Sequence, residues 1–180
     1  MKYVIVLCLI LWPSLARACD VNAGEGPLFT CETSDPAKYI SICAVDDGAG
    51  ENWRSAQYRY GTDDKAELVY PDDPAEGIKK LLFSHAKTAH SYTVNIRFKN
   101  GGFQYRVFSI ARWEGDDPPA EAMDGEAGVE VRRKGGKVVA RILCAERPYM
   151  FPGYLQRALA CDLENPHGAK GCAEDPPMEH

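Results

Sequence analysis

The sequence lacks most of the patterns that announce chemistry. No two cysteines have the Cys-x-x-Cys spacing of a zinc or redox pair, and no histidine follows a cysteine at ligand spacing. No Gly-x-Ser-x-Gly nucleophile elbow is present, and no glycine-rich phosphate loop. Long apolar runs are missing too. The longest, Tyr3 to Trp12, has ten residues, and a membrane-spanning helix needs about 20. No transmembrane segment is therefore expected. Positive charge is in deficit: 21 basic residues face 26 acidic ones, for a net charge of −5. A chain of that balance has no footprint for a phosphate backbone, so nucleic acid is not an expected partner. It suits a cationic partner, or simply solubility.

What is present begins with an export address. Lys2 precedes the apolar run, Pro13 and Ser14 break it, and Ala16-Arg17-Ala18 has the small-x-small form of a cleavage site. Residues 1–18 are expected to be a signal peptide, with a periplasmic or secreted chain starting near Cys19. Cleavage would remove two bases, Lys2 and Arg17, and no acid. A lipid anchor on Cys19 is disfavoured, because a lipobox wants Leu and then a small residue where Ala16 and Arg17 stand.

Cysteine parity agrees. Cys8 would leave with the signal, and Cys19, Cys31, Cys43, Cys144, Cys161 and Cys172 would remain. An even set in an exported chain predicts three disulfides. Their pairing is open. Cys161 with Cys172 is the most local choice, Cys31 with Cys43 would staple the first two strands, and Cys144 would reach an N-terminal cysteine.

Residues 19–172 read as one β domain, and 173–180 as a disordered tail. Ser91 to Lys99 alternates strictly, with Tyr92, Val94, Ile96 and Phe98 on one face. Asn100-Gly101 then predicts a two-residue turn that sets Phe98 opposite Phe103, Ile96 opposite Tyr105, Val94 opposite Val107, and Arg97 with Gln104 on the other face. A second hairpin is expected over Val129–Cys144 with its turn at Gly135-Gly136. Val129 and Val131 would share a face with Ala140 and Ile142, and Glu130 would lie near Arg141. Further strands are read at 28–32, 38–45, 55–60, 66–70 and 78–84, separated by Asp, Gly and Pro turns. Gly115 to Gly125 reads as a surface loop, and Gly153 to Ala160 as a short helix with Tyr154, Leu155, Ala158 and Leu159 on its apolar stripe. The whole predicts an all-β antiparallel meander of about eight or nine strands, a small barrel or sandwich.

Candidate chemical groups are few. His85 and His90 have no visible partners, and an exposed loop histidine is the preferred reading. The paired acids at 46–47, 63–64, 72–73 and 116–117 sit at turns, where Asp bonds nearby backbone N–H groups. The stretch Asp46 to Asn52 does not follow the alternating oxygen ligands of a calcium loop. Arg132-Arg133-Lys134 with Lys137 makes a basic hairpin tip, read as a solvated turn. Trp53, Tyr58, Tyr60, Tyr70, Trp113 and Tyr149 are expected in the core or at barrel ends. No catalytic, cofactor or metal residue is assigned.

The early Phe29-Thr30-Cys31 strand, and the late pair from Ala127-Gly128-Val129 through Lys134-Gly135 to Cys144, resemble the periplasmic and membrane-bound inhibitors of c-type lysozyme. In that family a Ser-Gly-x-x-Tyr segment and a Lys-Gly turn enter the lysozyme active site. Here Ala127 replaces the serine and Glu130-Val131-Arg132 supplies no tyrosine, so only Gly128 and Lys134-Gly135 agree. No inhibitory residue carries over. The resemblance implies an exported, non-enzymatic binding protein of the bacterial envelope, directed at a cationic hydrolase such as lysozyme. A small-ligand barrel and a secreted enzyme with a loop-built site are the alternatives.

Overall fold

The computed structural model describes residues 19, 24–35, 38–115 and 124–174. The expected signal peptide and the end of the expected tail lie outside these, as do Asp116 and Asp117.

Eleven strands form two sheets among the described residues. The first has the order β10-β1-β2-β3-β4 and the second β11-β5-β6-β7-β8-β9. β1 is Gly26–Glu32, β2 Tyr39–Val45, β3 Ser55–Gly61 and β4 Ala66–Tyr70; β5 is Leu82–Lys87, β6 Ser91–Asn100, β7 Phe103–Arg112, β8 Asp124–Arg133 and β9 Val138–Leu143. The pairs β10 (Tyr149–Met150) and β11 (Ala160–Cys161) are short. All pairings are antiparallel except that of β11 with β5.

The result is a sandwich and not a closed barrel. The sheets meet at one corner, where Thr33 bridges Cys144 and Ala145 N–H donates to the Glu32 carbonyl at 2.9 Å. Beyond that corner β10 joins the edge of β1. β4 and β11 end their sheets without pairing to each other.

Between the sheets, alternating side chains supply the core. Phe29, Ile40, Ile42 and Tyr58 come from the first sheet, and Phe83, Val94, Ile96, Phe98, Val107 and Val129 from the second, each at most 1% exposed. Burying one such side chain stabilises the fold by roughly 1.5–3 kcal/mol. Phe98 is the hub: it stacks on Tyr105 at 4.8 Å and Tyr70 at 4.7 Å and meets Tyr58 at 4.9 Å. Helix α2 (Pro152–Ala158) opens on a proline in its first turn and plugs Leu155 and Ala158 into the same core.

Several expectations need correction. The β6–β7 turn is Gly101-Gly102, with φ of 56° and 80°, not Asn100-Gly101. Phe98 therefore faces Tyr105, Ile96 faces Val107, and Arg97 faces Arg106. Both central residues of this turn need positive φ, which two glycines meet at less cost than Asn with Gly. The slip moves each partner by two residues, so every side chain keeps its face. The Val129–Cys144 hairpin has the expected register, with Val129 opposite Ile142, Glu130 opposite Arg141 and Val131 opposite Ala140. β8 starts earlier, at Asp124, so the end of the expected surface loop is strand and 116–123 lie outside the described residues.

The expected strand 78–84 is split. Asp73 caps Ala75 N–H at 3.0 Å, and a 3-10 turn (Pro74–Glu76) leads into the one-turn helix α1 (Gly77–Lys80) before β5 begins. Gly77 lies so close to β3 that an added β-carbon would sit 1.6 Å from the Ala56 carbonyl oxygen.

The disulfides are Cys19–Cys43, Cys31–Cys144 and Cys161–Cys172. Cys161–Cys172 and the reach of Cys144 are as expected. The Cys31–Cys43 staple is not made, because antiparallel register sets Cys31 opposite Ile40 and Cys43 opposite Pro27, at opposite ends of the pair. Cys19 sulfur is held by Cys43, and a lipid thioether on that atom would exclude this bond.

Candidate functional site

The two flagged histidines do not converge. His85 is not an exposed loop residue: it lies in β5, 4% exposed. Its Nδ1 pairs with the Tyr92 hydroxyl at 2.8 Å and its Nε2 with the Ala173 carbonyl at 2.6 Å. The imidazole is thus tied into the packing. His90 sits in the β5–β6 turn with Nδ1 3.1 Å from the Gly115 carbonyl. Among the described residues no three His, Cys, Asp or Glu side chains gather where a metal could be held.

The acidic turn at Asp46-Asp47 caps its own backbone, as Asp73 does before Pro74. Asp46 accepts from Gly48 N–H at 3.0 Å, and Asp47 from Ala49 N–H at 3.1 Å and from the Asn52 amide at 2.5 Å. The Asn52 bond, then the backbone donors, hold the Asp47 carboxyl below its usual range, so it stays ionised in mild acid.

Beside this turn lies an exposed aromatic face. Tyr149 (53% exposed), Phe151 (41%) and Tyr154 (38%) touch in sequence, with ring centroids 4.8 Å and then 5.4 Å apart. Trp53 extends the row at 5.8 Å from Tyr154. Gly50 joins it to the acidic turn: a β-carbon built there would lie 3.1 Å from the Tyr154 ring and 3.7 Å from the Asp46 carboxylate. Arg157 backs the face, its guanidinium 4.9 Å from the Tyr154 ring and its Nε donating to the Gly50 carbonyl at 3.3 Å. Sequence reading counted Tyr154 into the apolar stripe of the helix and Tyr149 into the core or barrel ends. The helix buries Leu155 and Ala158, with Leu159 buried just after it, but turns Tyr154 outward. The overlooked signal was three aromatics within six residues around Pro152-Gly153.

A second polar surface covers the outer face of the larger sheet. Arg97, Arg106, Glu130 and Arg141 stand opposite one another on β6, β7, β8 and β9. Glu130, 5% exposed, accepts from Arg132 Nε at 2.6 Å and lies 3.5 Å from Arg106. Arg97 is 8% exposed because the segment after β11 folds over it. Its Nε donates to Asp162 Oδ2 at 2.6 Å, its Nη2 donates to Asp162 Oδ1, and its Nη1 lies 2.8 Å from Glu164. The Asp162 hydrogen bonds push the guanidinium pKa still higher.

Two clefts adjoin this sheet. One, of about 270 Å³, runs past Ser84, Asn95, Arg97, Arg106, Asp162 and Asn165. The other, of about 420 Å³, lies between the β6–β7 and β8–β9 hairpin tips and is lined by Lys99, Phe103, Arg132, Arg133 and Lys134 with the tip glycines. Gln104 lines both. The basic tip is an exposed turn, as expected, and Arg132, Arg133 and Lys134 also form one wall of a groove.

No family model, curated protein or solved structure matches this chain.

Proposed function

We propose that this is an exported, non-enzymatic binding protein of the bacterial envelope that docks a cationic protein, with c-type lysozyme as the first partner to test. The observation that carries the reading is the exposed Tyr149–Phe151–Tyr154 row ending beside Gly50, which also adjoins the Asp46 carboxylate of the acidic turn. Aromatic faces attract Arg and Lys heads, adjacent carboxylates add ion pairs, and rigid exposed aromatics are the usual anchors of protein interfaces. Three disulfides suit an oxidising compartment, and the net negative charge suits a basic partner. The small-ligand barrel loses its support, because the sheets do not close and Phe98 with its three tyrosine neighbours fills the interior. A loop-built enzyme would need a cleft around His85, His90 or the acidic turns; both His85 nitrogens are engaged, and neither cleft beside the larger sheet is lined by any of these residues.

Binding of the disulfide-bonded protein to c-type lysozyme and to other small basic proteins tests the reading by titration calorimetry. Tyr149→Ala with Phe151→Ala is expected to weaken binding by about tenfold or more, and added salt to weaken it further. Absence of binding to every basic protein at micromolar concentration, or indifference to the double substitution, overturns it. Binding elsewhere in the set without lysozyme inhibition removes the lysozyme assignment alone.

A further inference from the structure

The net charge of −5 conceals a segregation. No Asp or Glu occurs in residues 77–113 or 131–145, while Lys and Arg recur through both stretches. These stretches supply β5, β6, β7, β9 and the end of β8, most of the larger sheet. Their cations concentrate where two hairpins turn, at Gly101-Gly102 and at Gly135-Gly136. Phe103, just past the first turn, lies opposite Arg133, just before the second, so both tips project from the same end of the sheet.

Lys99, Arg132, Arg133, Lys134 and Lys137 surround the two tips. Glu164 lies 3.4 Å from Lys99, and Glu130 lies 2.6 Å from Arg132. Arg133, Lys134 and Lys137 make no ion pair among the described residues. The second tip is braced: Arg133 N–H donates to the Lys137 carbonyl and Gly136 N–H to the Arg133 carbonyl, each at 2.9 Å. Residues 133–140 are exposed throughout. Within that run Val138 (41%) and Val139 (42%) follow Lys137 directly, so bare apolar side chains adjoin the unpaired cations.

Alternation divides these cations between the faces of the sheet. Lys99 and Arg132 stand with Gln104 on the outer face. Arg133 stands on the core-side face, over the Phe103 ring at 5.9 Å. A ligand lying along one face meets only part of the set. An extended anionic surface met end-on by the tips gathers all of it. A soluble polyanion would pair with the cations and leave Val138 and Val139 in water. A phospholipid headgroup layer accepts both kinds of side chain.

We infer that the paired hairpin tips dock on an anionic phospholipid surface. Arg133, Lys134 and Lys137 meet the headgroup phosphates, Lys99 and Arg132 stand at the rim, and Val138 and Val139 enter the headgroup layer. Each cation brought to such a surface strengthens binding about fivefold. The tips share no residue with the aromatic–acidic face, so this inference stands apart from the protein-docking reading.

The test is flotation of the disulfide-bonded protein with phosphatidylcholine vesicles, with and without about a third phosphatidylglycerol. The anionic vesicles are expected to bind about tenfold or more tightly than the zwitterionic ones, and added salt to weaken that binding. Lys134→Glu is expected to lower it about tenfold. Lys87→Glu makes the same charge change opposite Tyr92, at the other end of β6. That position is about 25 Å from the tips by strand rise, well beyond the ~8 Å Debye length, and no loss is expected there. Val138→Thr with Val139→Thr keeps the side-chain shape and removes apolar surface, and is expected to lower binding several-fold. Thermal melting of each variant confirms that the fold persists. The inference is overturned if the two vesicle types bind alike, if Lys134→Glu and Lys87→Glu act alike, or if the valine variant binds undiminished. Equal affinity for a single-stranded oligonucleotide or for polyphosphate, at matched phosphate concentration, would mark a general anion site and overturn it as well.

Discussion

Cys31 in β1 and Cys144 at the end of β9 are joined by a disulfide at the corner where the two sheets meet. They are 113 residues apart in sequence, and nearly the whole described β framework lies in the loop between them. The bond locks the two sheets of the sandwich together and holds β10, with Tyr149, against β1.

Loop length orders the disulfides by their effect on stability. Closing the loop of separation 113 restrains the unfolded chain by about 5 kcal/mol, and the loop of separation 11 by about 3 kcal/mol. Cys31→Ala with Cys144→Ala is therefore expected to lower the unfolding free energy by about 2 kcal/mol more than Cys161→Ala with Cys172→Ala. Denaturant midpoints of the two double variants give the comparison. Equal losses would show that the corner bond does not constrain the chain as argued.

Asp162 is the counter-ion that allows Arg97 to be buried. Asp162→Ala leaves a guanidinium under the folded-over segment with only the exposed Glu164 beside it. An expected loss of about 3 kcal/mol follows. Replacing both partners with apolar residues, Arg97→Met with Asp162→Leu, should recover most of it, because no charge is then stranded. Urea unfolding of the single and double variants decides the matter, and a neutral Asp162→Ala would refute it.

Alkaline pH probes the burial of the Tyr92 hydroxyl beside His85. Burial pushes the Tyr92 hydroxyl from 10.0 up to about 12. A raised folded value favours the neutral phenol in the native state. Its contribution is complete below pH 10 and is lost as pH rises from 10 toward 12. Tyr58, whose hydroxyl burial pushes higher still, adds to the same decline. Tyr92→Phe is expected to make the fall in stability over that window shallower, as read by urea unfolding at stepped pH. An unchanged slope would count against it.

Much of the fold was legible because strand signals are local. Alternation over Ser91 to Lys99 placed Val94, Ile96 and Phe98 in the core, and they are there. Gly135 and Gly136 marked a turn whose register holds to β9. The turn at Gly101-Gly102 was misplaced by one residue, since either choice satisfies the same facial pattern. The short helix α1 escaped notice because its apolar residues also fit a strand; the deciding signal was Asp73-Pro74, a cap followed by a proline.

The candidate surfaces were far less legible. Facial alternation placed Arg97 and Gln104 on the same side, but nothing local showed that Asp162, 65 residues later, would cover one and leave a groove beside the other. Likewise, Tyr154 fits the stripe of α2 as well as Leu155 does. Only packing against the core decides which of the two is buried.

Period-two patterning, turn chemistry and cysteine parity are properties of neighbouring residues, and by themselves they determined an all-β chain cross-linked three times. Cysteine pairing, the open sandwich, the aromatic face and the basic groove each join residues distant in the chain. Their arrangement follows from which surfaces meet when two sheets exclude water together. That is a property of the assembled molecule, and the tertiary structure alone decided it.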